Sequence, residues 1–143
     1  MNGPDDSTLQ GAAGAVTPRP AWRIAAFVAA AAIGVVSLLP PRGTPGVEIA
    51  DLGEFRAFVG HALAYAVLAA CAVLAQRLPR PAVTFAAVVA YGAALEVVQG
   101  AMGLRSMQWG DVLANALGAA LGIGTAILLL RLAPAGWISG RDS

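Results

Sequence analysis

Five polar residues stand in otherwise apolar sequence between positions 96 and 122: Glu96, Gln99, Arg105, Asp111 and Asn115. In hydrocarbon such groups are costly, and they tend to face a bundle interior, one another or a ligand. The chemistry they offer is that of a charge-paired polar site. Glu96 or Asp111 can act as a general base, and Arg105 can clamp a phosphate or carboxylate bidentately. Upstream, His61 and Tyr65 are four residues apart and so share one helix face. The imidazole is a candidate acid–base partner.

Each of these residues also has a structural role to weigh. Asp111 suits a helix start, as an N-cap or first-turn acid. Asn115, one turn deeper, is not explained by capping and reads as an interhelical hydrogen-bonding residue. Arg105 can meet a lipid phosphate, and Tyr65 can sit at the interface as an aromatic anchor. One histidine on a helix face is more often a packing residue than a catalyst. A metal reading requires His61, Glu96 and Asp111 to converge. No HExxH or Cys/His spacing announces such a site, so neither a metal nor a cofactor is expected. No nucleophile motif, phosphate-cradling glycine loop or nucleic-acid reader is present either.

The elements that must position these residues are transmembrane helices. Of 143 residues, 58% are apolar and only 12% charged, about half the charged share of an average soluble domain. Mean hydropathy is +0.72. The net charge of +1 implies no strong pull toward nucleic acid. All nine basic residues are arginine, which carries no functional reading of its own. Cys71 is the single cysteine, so an intramolecular disulfide is excluded and a packed thiol is expected.

Residues 1–20, rich in Gly, Pro, Ser, Thr and Asp, are expected to form a disordered tail. Four spans follow at about 22–39, 58–76, 82–100 and 111–130, with a C-terminal tail over 132–143 in which Trp137 is a candidate interfacial anchor. Residues 42–56 read as the first loop, with a short interfacial turn through Leu52 and Phe55. Met102, Met107 and Trp109 fall in the third. Gly92, Glu96 and Gln99 lie on one stripe of the third span, and Asp111, Asn115, Gly118 and Gly122 on one stripe of the fourth. Gly118 and Gly122 form the small-residue pattern that lets helices approach closely. The expected fold is all-α, an integral membrane four-helix bundle.

Four spans put both termini on one side. Arg19, Arg23, Arg77, Arg80, Arg131 and Arg141 then share that side, with Arg42, Arg56 and Arg105 opposite. Six against three places both termini in the cytoplasm of a bacterial membrane protein. His61, Glu96, Gln99 and Asp111 are then expected near the outer ends of their helices, at one depth.

Glu96-x-x-Gln99, Arg105 and Asp111-x-x-x-Asn115-x-x-Gly118-x-x-x-Gly122, with His61-x-x-x-Tyr65 before them, resemble the signature of the VanZ-like family. The resemblance covers about residues 58–122. A lysine common in the family shortly before the histidine is replaced here by Phe58, with Arg56 the nearest cation. The resemblance implies a small bacterial membrane protein. The family's namesake is associated with low-level teicoplanin resistance, which is a phenotype rather than a mechanism.

Three functions fit these residues. The preferred one is a non-enzymatic envelope protein that binds an amphiphile, a lipid headgroup or a lipid-linked precursor through His61, Tyr65, Glu96, Gln99, Arg105, Asp111 and Asn115. The others are a small membrane enzyme acting on such a headgroup, and a structural or transporter-associated subunit whose polar residues only pack helices. The partners expected are membrane lipids or a lipid-linked envelope precursor and not nucleic acid; the sequence leaves ligand identity and oligomeric state open. The arginine count makes one prediction. With Cys71 removed, Ser106→Cys should be labelled by an impermeant thiol reagent from outside the cell, and Thr17→Cys should not. The reverse pattern would invert the topology.

Overall fold

The structure is a computed structural model and describes residues 20–39, 50–76, 79–104 and 108–133. It contains four helices, α1 (Pro20–Leu38), α2 (Ala50–Leu74), α3 (Pro81–Ala101) and α4 (Trp109–Leu132). Each is long and apolar enough to cross a membrane, and no strand occurs among the described residues. The all-α membrane bundle read from the sequence is therefore the observed fold. The expected disordered tail, most of the first loop, Arg105, Met107 and Trp137 lie outside the described residues.

Two helix boundaries differ from the sequence reading. α2 begins at Ala50 rather than near position 58, so Leu52 and Phe55 belong to the helix and not to a loop turn. The Pro and Gly residues that suggest irregular structure all precede Ala50, except Gly53, and a single glycine is tolerated within a helix. His61 is therefore near the middle of its helix rather than near its start. α4 begins at Trp109, so this residue opens the helix instead of sitting in the connection.

The ends of α3 follow local chemistry. Pro81 occupies the first turn, where its missing N–H costs nothing. Gln76 reaches across the α2–α3 turn: its amide donates to Thr84 Oγ1 (2.7 Å) and Ala72 O (3.0 Å), and its Oε1 accepts from Arg80 N–H (2.8 Å). At the other end Gly103 adopts φ +66°, a conformation glycine enters without steric cost. Leu104 N–H donates to Gln99 O and Gly103 N–H to Gly100 O, both at 3.1 Å, a Schellman motif that satisfies the last carbonyls and turns the chain toward α4.

The tightest pair is α2 with α4. Gly118 lies against the Ala62 carbonyl and Gly122 against the Ala66 carbonyl, so close that a Cβ on either glycine would collide with α2 backbone. The matching order of these contacts shows that the two helices run parallel. Small residues stand on both sides, Ala62 and Ala66 facing Gly118 and Gly122, and Ala69, Ala119 and Ala126 are fully buried nearby. Without a hydrophobic driving force in lipid, such close approach and its van der Waals contact hold the pair together. α3 covers the pair with a stripe of buried residues at helical spacing: Thr84, Val88, Gly92, Glu96 and Gln99.

α1 is attached differently, with no buried residue. Two hydrogen bonds tie it to α3: Tyr91 Oη–H donates to Ala30 O (2.7 Å), and Gln99 Nε2–H donates to Ser37 O (2.6 Å). Apolar residues such as Phe27, Val28 and Val35 on α1 and Leu113, Leu117 and Leu121 on α4 point outward, as a lipid-facing surface requires.

Replacing Gly118 by Leu, or Gly122 by Ala, should lower stability by about 1–3 kcal/mol, because the added atoms meet backbone that cannot yield by rotamer change. Thermal unfolding in detergent checks this. An unchanged midpoint would mean that the α2–α4 contact is not made as described.

Candidate functional site

The α2–α4 contact sets His61 beside the first two turns of α4. His61 Nδ1 is 3.0 Å from Asn115 Oδ1, and His61 Nε2 is 3.8 Å from Asp111 Oδ2. An amide oxygen only accepts, so Nδ1 carries the proton and Nε2 is turned to the carboxylate. Tyr65, one turn below His61, stacks on it with ring centroids 6.4 Å apart and planes 10° from parallel. From α3, Glu96 completes the group: one donor atom each from His61, Glu96 and Asp111 lie within 4.8 Å of one another.

Burial separates this cluster from a chance surface grouping. Glu96 is 3% exposed, Asp111 4%, Asn115 1% and Tyr65 2%. Three helices contribute, and the wall on the α3 side depends on Gly92. A Cβ there would stand 2.7 Å from Asn115 Nδ2 and 2.9 Å from Tyr65 Cε1. The glycine thus makes the space that Asn115 and Tyr65 fill. Its place on the stripe with Glu96 was legible in the sequence, but its role toward Tyr65 and Asn115 was not, because nothing in the sequence places α2 opposite it.

Asp111 lies in the first turn of α4 but is not its cap. The N-cap position is Gln108, which makes no side-chain capping bond. The Asp111 carboxylate is turned instead toward His61. Gln99, a candidate ligand residue by sequence, has its amide N–H on the Ser37 carbonyl and so serves the attachment of α1. Asn115 Nδ2 has no hydrogen-bond partner among the described residues, and neither Glu96 oxygen makes a hydrogen bond or ion pair there.

Two cavities reach the cluster. One, of about 550 Å³, lies at the head of α2 and α4, lined by Glu54, Phe55, Phe58, Gln108, Trp109 and Asp111. The other, of about 520 Å³, is an apolar groove between α1 (Ala32, Ile33, Val36) and α2 (Gly60, Ala64), with His61 and Tyr65 in its lining. Glu54 and Trp109 therefore border the site. By sequence Glu54 was only a loop charge and Trp109 a loop aromatic, because the early starts of α2 and α4 were not visible.

The VanZ/LLP1 family profile matches residues 18–131. The chain is a member of the VanZ/LLP1 family. The match takes in all four helices and every residue of the cluster. No curated protein and no solved structure matches the chain. Membership establishes kinship, and the four helices long and apolar enough to cross a membrane fit a multi-pass protein. What this VanZ/LLP1 site does has to come from its own geometry.

The bond from His61 to Asn115 can be tested directly. A double-mutant cycle of His61→Ala and Asn115→Ala should give a coupling of about 0.6 kcal/mol, and up to ~1.7, the range for interhelical hydrogen bonds in membranes. Strictly additive losses of stability would show that the two side chains do not meet.

Proposed function

We propose that this VanZ/LLP1 protein binds an amphiphile of the bacterial envelope, a lipid headgroup or a lipid-linked precursor, at an outward-facing polar pocket. The observation that carries this reading is the meeting of two unlike cavities at one cluster. The apolar groove between α1 and α2 is lined in part by His61 and Tyr65, while a second cavity is bordered by Glu54, Gln108 and Asp111. Sites for small molecules combine apolar lining with a few polar groups that fix orientation. Here the groove offers a place for a chain, and His61, Glu96, Asp111 and Asn115 offer donors and acceptors for a head. Arg105, six residues before Asp111 in the sequence, is the candidate clamp for an anionic group. The arginine distribution supports an outward site with both termini cytoplasmic. Binding there would alter sensitivity to glycopeptides such as teicoplanin by changing the availability of an envelope lipid.

A second reading, catalysis on such a headgroup, draws support from the imidazole set between two buried carboxylates, with Glu96 or Asp111 as base and His61 as acid–base partner. Conversion of a labelled lipid by the purified protein would favour it over binding alone.

Gly60 lines the groove, and a Cβ there meets nothing within 4 Å. Gly60→Phe should therefore fold normally and fill the groove. Saturable binding of envelope lipids, followed by native mass spectrometry, should fall by about tenfold or more, the loss of roughly 1.4 kcal/mol. Unchanged binding in a stable Gly60→Phe protein would remove the groove from the proposal.

A further inference from the structure

We infer that His61, Glu96 and Asp111 form a binding site for a divalent transition-type cation such as Zn²⁺ or Mn²⁺. The inference does not rest on amphiphile binding, since the three side chains can hold an ion whether or not a lipid enters the groove.

Four observations lead to it. The first is the donor set. One imidazole nitrogen and two carboxylate oxygens, from three different helices, lie within 4.8 Å of one another. Imidazole suits Zn²⁺ and other first-row divalent ions, and carboxylates extend the range to Mn²⁺. The second is spacing. His61 Nε2 and Asp111 Oδ2 are 3.8 Å apart, beyond hydrogen-bonding distance. Donors on one tetrahedral ion at about 2.0–2.1 Å stand about 3.4 Å from each other, so a group whose atoms lie within 4.8 Å of one another needs to contract by at most about 1.4 Å at its widest pair.

The third concerns the proton on His61. A histidine that binds a metal through one nitrogen characteristically donates its other ring N–H to an oxygen, which fixes the tautomer and the ring plane. His61 does this through Nδ1 to Asn115 Oδ1 at 3.0 Å, and the stack on Tyr65 holds the ring further. Nε2 is left facing the acids with a lone pair. The fourth is Glu96. One of its carboxylate oxygens lies within the cluster, the residue is 3% exposed, and among the described residues it makes no hydrogen bond or ion pair. A buried carboxylate requires a counter-charge or donors, and an ion at the centre of the three supplies one. Three protein ligands leave at least one coordination position for water or for an oxygen of a bound molecule.

The competing arrangement has no ion, with His61 protonated as an imidazolium between the carboxylates. The test separates the two. The protein is made without a polyhistidine tag, purified in detergent, stripped with chelator and titrated with Zn²⁺, Mn²⁺ and Co²⁺, with no envelope lipid added. One equivalent is expected to bind, with a visible ligand-field band for Co²⁺ and an imidazole signature in the X-ray absorption of the Zn²⁺ form. Glu96→Gln and His61→Ala should each weaken binding by more than Asn115→Ala, for which about 10–100-fold is expected of an outer partner. Substoichiometric binding by the unaltered protein, or an absorption spectrum without imidazole, would overturn the site even if the variants fail to fold. So would unchanged affinity in a folded Glu96→Gln protein. Because lipid is absent, failure here leaves the amphiphile proposal standing, and loss of lipid binding in Gly60→Phe leaves the ion proposal standing.

Discussion

The structure depends on the closeness of α2 and α4. Two glycines lie on two alanine carbonyls, and the contacts of His61 with α4 follow from that distance. With α4 held so near, the imidazole of His61 reaches Asp111 and Asn115 across the interface. Had either glycine carried a side chain, the helices would stand further apart and these polar groups would face lipid or one another through a gap. In hydrocarbon each would then be strongly unfavourable. The small residues thus act through geometry: they carry no polar group themselves and yet decide whether the cluster can assemble.

The polar groups in turn are costly to the bundle. Glu96, Asp111 and Asn115 are nearly inaccessible in a small assembly whose other contacts are largely alanine, glycine, valine and leucine. Interhelical hydrogen bonds in membranes contribute on average only about 0.6 kcal/mol, so they are a weak reason to place carboxylates there. A bundle built for stability alone would put apolar side chains at positions 96 and 111. That they are acids, with an oriented histidine beside them, is what the proposed binding roles would account for.

α1 has a different standing from the other three helices. It buries no residue and is fastened through the Ala30 and Ser37 carbonyls, to a tyrosine and a glutamine of α3. It also packs along α2, but a helix with no buried residue is the one whose displacement costs least. The apolar groove lies on its inner side, against α2, with His61 and Tyr65 in its lining. An amphiphile arriving from the bilayer would meet this seam before any other part of the site.

Much was legible in the sequence because membrane helices obey a simple length and composition rule. Four spans, their order, the stripes Gly92/Glu96/Gln99 and Asp111/Asn115/Gly118/Gly122, and the family all follow from periodicity and motif alone. The turn at Gly103 and the proline start of α3 were equally local matters. The beginning of α2 was not, because residues 50–57 carry charges that mimic a loop and are helical in continuation of an apolar segment. What only the tertiary structure decided is which stripe faces which. Periodicity specifies an angle about one helix axis and carries no information on the neighbour across it. The parallel register of Ala62 on Gly118, the proton placed on His61 Nδ1, the room Gly92 leaves for Tyr65, and the diversion of Gln99 to α1 all belong to that second level. So does the convergence of His61, Glu96 and Asp111, since residues up to fifty positions apart meet only when three helix axes are fixed together.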